Sequence, residues 1–237
     1  MSQIAVQLKD LKVVNDKFTM ENVNLSIKKG FITAITGPNG SGKTTLIETI
    51  AGVKAVLGGI VSINGYDLYK EPVKAKNMIG FVFHKCPFND TLTPENIMKR
   101  YGHFYEFFDK NLYKKLCGEF ELNMKTMIRN MSKGQAVKLQ LAFALAHDSK
   151  IMLFDDATEG LDPVFRRSLK KRLMDIVSDG EHTVIMATKI PEDLENIVDY
   201  IVTLSNGTVA LVSDIEQINE QYKGGIHEYL KEGGRQQ

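Results

Sequence analysis

A glycine-rich segment, "GPNGSGKT" at residues 37 to 44, carries the residues best suited to chemistry in this chain. It matches the G-x-x-x-x-G-K-[ST] phosphate-binding pattern at every fixed position, between the apolar run "FITAIT" and the helical run "TLIETIAG". Glycines let the backbone turn so that its N–H groups point at phosphates, at the positive end of the following helix. An ordinary glycine-rich turn that caps a helix is the alternative. We expect nucleotide binding by Asn39, Gly40, Ser41, Gly42, Lys43, Thr44 and Thr45.

Two adjacent carboxylates follow the apolar run "IMLF" at residues 151 to 154. In nucleotide sites of this kind, a strand beside the phosphate-loop strand ends in an aspartate that holds Mg²⁺ through water, and Asp155 fits that position. Thr44 would bind the same Mg²⁺ through its hydroxyl, and Lys43 would contact the β- and γ-phosphates. Asp156 would face the γ-phosphate, where a carboxylate polarises the attacking water. The alternative for the two acids is a solvated loop end or a helix cap.

The elements that must position these groups alternate between strand and helix patterns. Residues 4 to 35 contain three strand-like runs, and "GIVSING" predicts a further strand that ends in an Asn64-Gly65 turn. Helical periodicity begins at Thr93, in "TPENIMKRYGHFYEFF", and continues to Lys150. The runs "KIMLFDD", "PVFRRSLKKRLMDIVSD" and "HTVIMATK" then give the strand, helix, strand order of a parallel sheet, followed by two strands and a polar helical tail.

Composition limits where this chain works. Its 30 basic and 29 acidic residues give a net charge of +1, so the overall charge of the protein does not attract nucleic acid. Two cysteines and no secretory leader pattern in residues 1 to 25 predict a reduced, cytoplasmic setting. No apolar run approaches the roughly eighteen residues that span a bilayer, so any membrane-spanning helices would come from another chain.

Upstream of the acids, "MSKGQ" at residues 131 to 135 opens a helical run and resembles the L-S-G-G-Q signature of ATP-binding cassette (ABC) proteins. The phosphate loop, this signature, the strand that ends in Asp155 and Asp156, and "GLD" at 160 to 162 are four motifs that occur in that family's order. The resemblance implies ATP and Mg²⁺ as cofactors and a head-to-tail dimer, with itself or a homologous subunit. Ser132, Gly134 and Gln135 would then meet the partner's ATP, and Asp162 would lie in the loop that touches the partner. "MSKGQ" alone would be an ordinary helix cap.

Three positions depart from the family pattern in the hydrolysis machinery. Asp156 stands where the family generally has Glu, Lys189 where it has His, and His84 where it has Gln; we assign these three as the catalytic residues. His84 lies in "IGFVFHKCPFNDTLTPENI" at residues 79 to 97, which resembles the family's loop between the core and the helical subdomain. The carboxylate of Asp156 is shorter by one methylene, about 1.5 Å. Phe18 is the nearest aromatic ring to the position of the adenine-stacking residue, and burial in a sheet core is its equal alternative. Lys133 replaces the usual signature glycine, which resembles exporters of drugs and antimicrobial peptides.

The strand and helix patterns predict an α/β fold, and the resemblance implies a P-loop nucleotide-binding domain of the ABC type, with a RecA-like core, an antiparallel β-subdomain and an inserted helical subdomain. The expected boundaries are 1–84 and 150–215 for the core with the β-subdomain, 85–149 for the helical subdomain and 216–237 for a helical tail. The expected function is the ATPase subunit of an exporter of antimicrobial peptides or drugs, held at the inner face of the membrane by a separate transmembrane subunit. A weakly hydrolysing regulatory partner in an ABC heterodimer and a soluble non-transport ABC protein are the alternatives.

Overall fold

The computed structural model describes residues 3–15, 18–159, 161–188 and 190–233, and its strands form two sheets. The strands are β1 Ile4–Asn15, β2 Phe18–Lys28, β3 Ile32–Thr36, β4 Gly58–Ile63, β5 Tyr66–Asp67, β6 Ile79–Phe83, β7 Ile151–Asp155, β8 Thr183–Ala187, β9 Tyr200–Ser205 and β10 Thr208–Asp214. The smaller sheet is antiparallel, with the order β2-β1-β4-β5. The larger sheet has the order β10-β9-β3-β8-β7-β6, and only β10 runs antiparallel to its neighbour.

Helices connect the strands of the larger sheet, as parallel pairing requires. They are α1 Lys43–Ile50, α2 Pro72–Asn77, α3 Pro94–Tyr101, α4 Lys110–Glu119, α5 Lys133–Ala146, α6 Pro163–Val177, α7 Pro191–Leu194, α8 Ile215–Gln221 and α9 Gly225–Gly233. Within the described residues, no helix is long and apolar enough to cross a membrane.

Alternate residues of the larger sheet enter two hydrophobic cores. In β7, Met152 and Phe154 pack into the core that also contains buried residues of α3, α4, α5 and α6. Ile151 and Leu153 pack into the other core, with the antiparallel sheet and α1. Because successive side chains of a strand point to opposite faces, the larger sheet lies between these cores, with α1 and α5 on opposite faces.

The predicted α/β fold is confirmed, and so is the tight Asn64-Gly65 turn between β4 and β5. Both turn residues have positive φ, 46° and 86°, as a two-residue hairpin turn requires. Two local predictions were wrong. The helix predicted from Thr93 through residue 108 ends at Tyr101, and residues 79–83, interpreted as part of a connecting loop, form strand β6.

Candidate functional site

The phosphate-loop pattern lies between the carboxyl end of β3 and the start of α1. Gly37 and Gly42 have φ values of 136° and 106°, in the region that favours glycine. A Cβ atom on Gly37 would lie 2.2 Å from the carbonyl oxygen of Leu204, so no other residue fits there without a shift of backbone. Packing against β9 therefore fixes the path of the loop.

Lys43 lies across this loop rather than pointing into solvent. Its side chain is buried, and Nζ donates hydrogen bonds to the carbonyl oxygens of Gly37 and Pro38, at 2.8 and 2.9 Å. Near it, the Ser41 hydroxyl is buried and has no hydrogen-bond partner among the described residues. An ammonium group and a buried hydroxyl beside a turn of backbone amides fit a bound phosphate chain.

Asp155 ends β7 directly beside the start of α1. Its Oδ1 accepts a hydrogen bond of 3.1 Å from the Thr44 hydroxyl. Burial raises the pKa of the Asp155 carboxyl above 3.8, and the hydrogen bond from Thr44 opposes that shift. The adjacent charge of Asp156 raises the pKa further. A hydroxyl and a carboxylate at this separation are oxygen ligands of the kind Mg²⁺ uses together with water and phosphate oxygens, so the site fits that ion.

Asp156 follows with a φ of 45°, a left-handed conformation that aspartate tolerates better than most residues. Its backbone N–H donates to the carbonyl oxygen of Ala187 in β8, at 2.8 Å. His84 lies next to both acids: its N–H donates to the Asp155 carbonyl oxygen at 3.0 Å, and its Nδ1 is 3.4 Å from the Asp156 carbonyl oxygen. The structure thus brings two of the three predicted catalytic residues together, whereas Lys189 lies outside the described residues.

The signature segment opens α5 on the other face of the sheet. Ser132 caps this helix and accepts a hydrogen bond of 3.2 Å from the N–H of Gln135. The Gln135 side chain in turn accepts a hydrogen bond of 2.9 Å from the Ser132 N–H, which completes a capping box. The hydroxyl of Ser132 remains exposed at the helix N-terminus, together with the partly exposed Gly134. Such a helix start attracts anions.

Phe18 packs against the phosphate loop itself. A Cβ atom on Gly42 would lie 2.8 Å from Cζ of the Phe18 ring, and the ring also rests on the core of the antiparallel sheet. This position agrees with either predicted use, adenine stacking or core packing, so stacking stays a prediction. The remaining loop residues are Asn39 and Gly40, which are exposed, and Thr45, which is buried in the first turn of α1.

Sequence reasoning missed two residues that organise this site. Gln140, buried in α5, accepts a hydrogen bond of 2.9 Å from the Phe83 N–H and donates one of 3.0 Å to the Phe83 carbonyl oxygen. It therefore ties the end of β6, just before His84, to the signature helix. Glu159 contacts both His84 and Lys133. A polar residue inside an apolar helix was the only available signal for Gln140, and nothing in the sequence indicated the contacts of Glu159.

Comparison with known proteins places this geometry among nucleotide-binding subunits. Residues 20–159 match the family model described as "ABC transporter". The chain is 27% identical to the ABC transporter ATP-binding protein YtrB of Bacillus subtilis over 218 residues, 92% of this chain and 74% of that protein. It is also 27% identical to the linearmycin resistance ATP-binding protein LnrL of Bacillus subtilis, over 85% of this chain and 66% of that protein.

A solved structure extends the likeness to three dimensions. It is a dimeric ATP-binding cassette in a post-hydrolysis state, bound to ADP and Pi. The TM-score is 0.76 at 25% sequence identity, and the match covers 88% of this chain and 98% of that one. In that protein, a fold similar to this one therefore holds a nucleotide.

Proposed function

Since this chain belongs to the ABC transporter family, whose members hydrolyse ATP, we propose that it is the ATPase subunit of an exporter with a separate transmembrane subunit. The observation that carries the proposal is the meeting of Thr44 and Asp155, 3.1 Å apart, at a phosphate loop that Lys43 already covers. Those three side chains supply a charge for the phosphates and two oxygen ligands for a metal ion.

Each residue has a role that follows from its position. Lys43 would exchange the carbonyl oxygens of Gly37 and Pro38 for phosphate oxygens, which bind an ammonium group more strongly. Thr44 and Asp155 would hold Mg²⁺, which when bound neutralises charge on the phosphoryl group. Asp156 would orient and polarise the attacking water.

We propose that the three predicted catalytic residues act on the γ-phosphate and the attacking water. His84 follows β6 beside the two acids, where its ring would contact the attacking water or the phosphate. Lys189, which lies outside the described residues, would supply positive charge to the phosphate.

Steady-state hydrolysis tests this assignment. We expect the purified chain to hydrolyse Mg²⁺-ATP, and Lys43→Ala to lower that rate on the order of a hundredfold, the effect of removing one well-placed donor to developing charge. Lys9→Ala is the matched control, because Lys9 is an exposed lysine of β1 outside the site. Equal activity in wild type and Lys43→Ala would rule out the proposed site.

We further propose that two copies associate head to tail through ATP. The helix start at Ser132 and Gly134 offers a hydroxyl, backbone N–H groups and the positive end of α5 to a phosphate from another chain. The similar dimeric cassette with ADP and Pi supports this arrangement. Hydrolysis would then weaken the contact between the two copies and release them.

The membrane partner would bind in an apolar groove between β6, the end of α3 and α5. Aromatic and aliphatic side chains line most of it: Ile79, Phe81, Pro87, Phe88, Tyr101, Tyr105, Gln140, Phe143, Ala144 and His147. The chain between Tyr101 and Asp109 also exposes Phe104 and Phe107, each by about two thirds. A large apolar surface beside a groove is typical of a protein interface, and a cytoplasmic loop of the transmembrane chain would cover it.

Capture from native membranes tests the groove. Phe104→Asp should reduce capture of the transmembrane chain by the tagged protein, because it places a charge on the apolar surface. Val73→Asp is the control, since Val73 is 73% exposed and lies in α2, outside the segment that lines the groove. Equal capture by both variants would place the partner elsewhere. The cargo is proposed to be a drug or antimicrobial peptide, which the LnrL likeness and Lys133 support.

A second candidate function is a regulatory subunit that binds ATP but hydrolyses it slowly beside a homologous partner. The shortened acid at position 156 favours it, because a displacement on the order of 1 Å of a catalytic group costs about a hundredfold in rate. Single-turnover hydrolysis separates the two candidates. If Asp156→Glu raises the single-turnover rate strongly, the shortened acid limits hydrolysis in the wild-type chain. An unchanged rate would remove the observation that favours the regulatory candidate.

A further inference from the structure

Glu159 places one carboxylate oxygen between the Lys133 ammonium group and the His84 ring. Its Oε2 is 3.4 Å from Nζ of Lys133 and 3.3 Å from Nδ1 of His84. All three side chains are substantially exposed, with fractions of 61% for Glu159, 40% for Lys133 and 47% for His84. Exposed ion pairs of this kind are weak and exchange readily. The contact therefore restrains Lys133 without locking it.

Lys133 and His84 belong to different parts of the proposed mechanism. Lys133 is the first residue of α5, next to the Ser132 cap that would receive a phosphate from a second copy. His84 stands beside Asp155 and Asp156, at the site of this chain's own nucleotide. Glu159 itself lies three residues after Asp156, on the loop that leaves β7. It therefore links the surface for the partner's ATP to the acids of its own chain.

We propose that Glu159 opposes ATP-driven association of two copies by holding Lys133, and that a phosphate presented by the second copy displaces it. This inference rests on the proposed head-to-tail dimer. A carboxylate near the start of α5 cancels part of the positive charge that the lysine and the helix terminus offer to an anion. The incoming phosphate must compete with Glu159 for Lys133. Glu159 stays near the acids because His84 holds the same oxygen.

The proposal gives Lys133 and Glu159 a joint role in setting the nucleotide concentration at which two copies associate. Without the carboxylate, Lys133 would contact the phosphate without first breaking its pair with Glu159. Association would then occur at a lower nucleotide concentration. Because exposed ion pairs are weak, removing this one should lower the midpoint by only about two- to fivefold. The effect should shrink at high salt, since screening weakens exposed pairs.

The test measures dimer formation by light scattering while the full chain is titrated with adenylyl imidodiphosphate and Mg²⁺ at low ionic strength. Glu159→Gln removes the charge and keeps the shape. We expect its midpoint to fall about two- to fivefold below wild type, and the difference to shrink as salt is added. Glu71→Gln is the matched control, because the side chain of Glu71 is 42% exposed, pairs with Lys74 at 2.9 Å and lies in another part of the chain.

A double-mutant comparison separates this restraint from a general effect on folding. In a Lys133→Gln background, Glu159→Gln should leave the midpoint unchanged, because the residue it restrains is gone. A midpoint for Glu159→Gln that equals or exceeds that of a dimerising wild type would overturn the inference and leave the proposed function standing. Failure of the wild type to dimerise at any concentration of the analogue would overturn both.

Discussion

The phosphate loop and the signature segment would both contact ATP phosphates, but they are held in different ways. The phosphate loop is fixed by packing: Gly37 has no room for a side chain, and Lys43 is buried with two hydrogen bonds to backbone oxygens. The signature segment is fixed by exposed contacts, namely the capping box of Ser132 and Gln135 and the ion pair of Lys133 with Glu159.

This difference follows from the origin of each ligand. A loop that is already formed binds a nucleotide of its own chain more tightly, because little conformational entropy is then lost on binding. A helix start whose ligand arrives on a second chain must stay accessible, and its contacts must be exchangeable. Substitutions in the first region should therefore damage stability and nucleotide binding together. Those in the second should change association with little change in stability.

The largest effect is expected from Gly37→Ala. The new Cβ would lie 2.2 Å from the Leu204 carbonyl oxygen, at a φ of 136° that disfavours side chains. We expect the free energy of unfolding to fall by roughly 3 kcal/mol and ATP binding to be lost, because the loop must move away from β9. Thermal unfolding and isothermal titration with ATP measure the two losses.

Gly65→Ala is the control for backbone strain alone. Gly65 has a φ of 86°, but a Cβ there would meet no atom within 4 Å. Its cost should be about 1–2 kcal/mol, with ATP binding retained. Equal losses of stability and of ATP binding in both variants would show that the contact with Leu204 does not hold the loop.

The phosphate loop was also the region that the sequence predicted best. Its glycines, lysine and threonine stand close together in the chain, and the strand and helix around them have strong local patterns, so the strand, loop and helix could be predicted locally. The contact of Gly37 with Leu204 could not. The Asn64-Gly65 turn was predictable for the same reason, because its two positive φ values depend on those two residues alone.

The other half of the site depends on contacts between distant segments. Residues 79–83 become strand β6 because they pair with β7, seventy residues later, and Gln140 fastens the end of that strand to α5. The helix from Pro94 ends at Tyr101, where the chain turns and the Phe108 ring packs against Gly102. No local pattern encodes these pairings or the contacts of Glu159. The helix predicted from periodicity alone was therefore too long.

A smaller effect, on the signature side, is expected from Ser132→Ala. Loss of this helix cap should lower the free energy of unfolding by about 1 kcal/mol. If Ser132 also meets a phosphate in the dimer, the variant should need clearly more adenylyl imidodiphosphate to associate. Light scattering measures association, and thermal unfolding measures the stability change.

Thr93→Ala provides a matched loss of a cap, since the Thr93 hydroxyl accepts a hydrogen bond of 3.2 Å from the Asn96 N–H at the start of α3. It should lower stability by a similar amount, about 1 kcal/mol, and leave association unchanged. A parallel weakening of association in both variants would mean that Ser132 acts only through the stability of its helix.

The smallest effect concerns the pH dependence of the packed region in the nucleotide-free protein. Burial raises the pKa of Asp155 above 3.8, so between that value and the higher folded pKa the folded chain binds more protons than the unfolded chain. Stability contributed by this group therefore falls as pH rises through the window and stays low above it. Asp155→Asn should raise the Tm at pH 7 without Mg²⁺, and the gain should shrink toward pH 4.

Asp162→Asn is the control, because its pH dependence should have the opposite sign to that of Asp155→Asn. The backbone N–H of Phe165 donates to Asp162 and lowers the pKa of its carboxyl, which contributes stability above the ordinary pKa of 3.8 and loses it as pH falls. Asp162→Asn should therefore lower the Tm at pH 7 and match wild type in acid. A lower Tm for Asp155→Asn at pH 7 would show that the buried carboxylate stabilises the protein when Mg²⁺ is left out of the buffer. Burial of the Asp155 carboxylate would then not lower the free energy of unfolding, contrary to what the burial of a charged group implies.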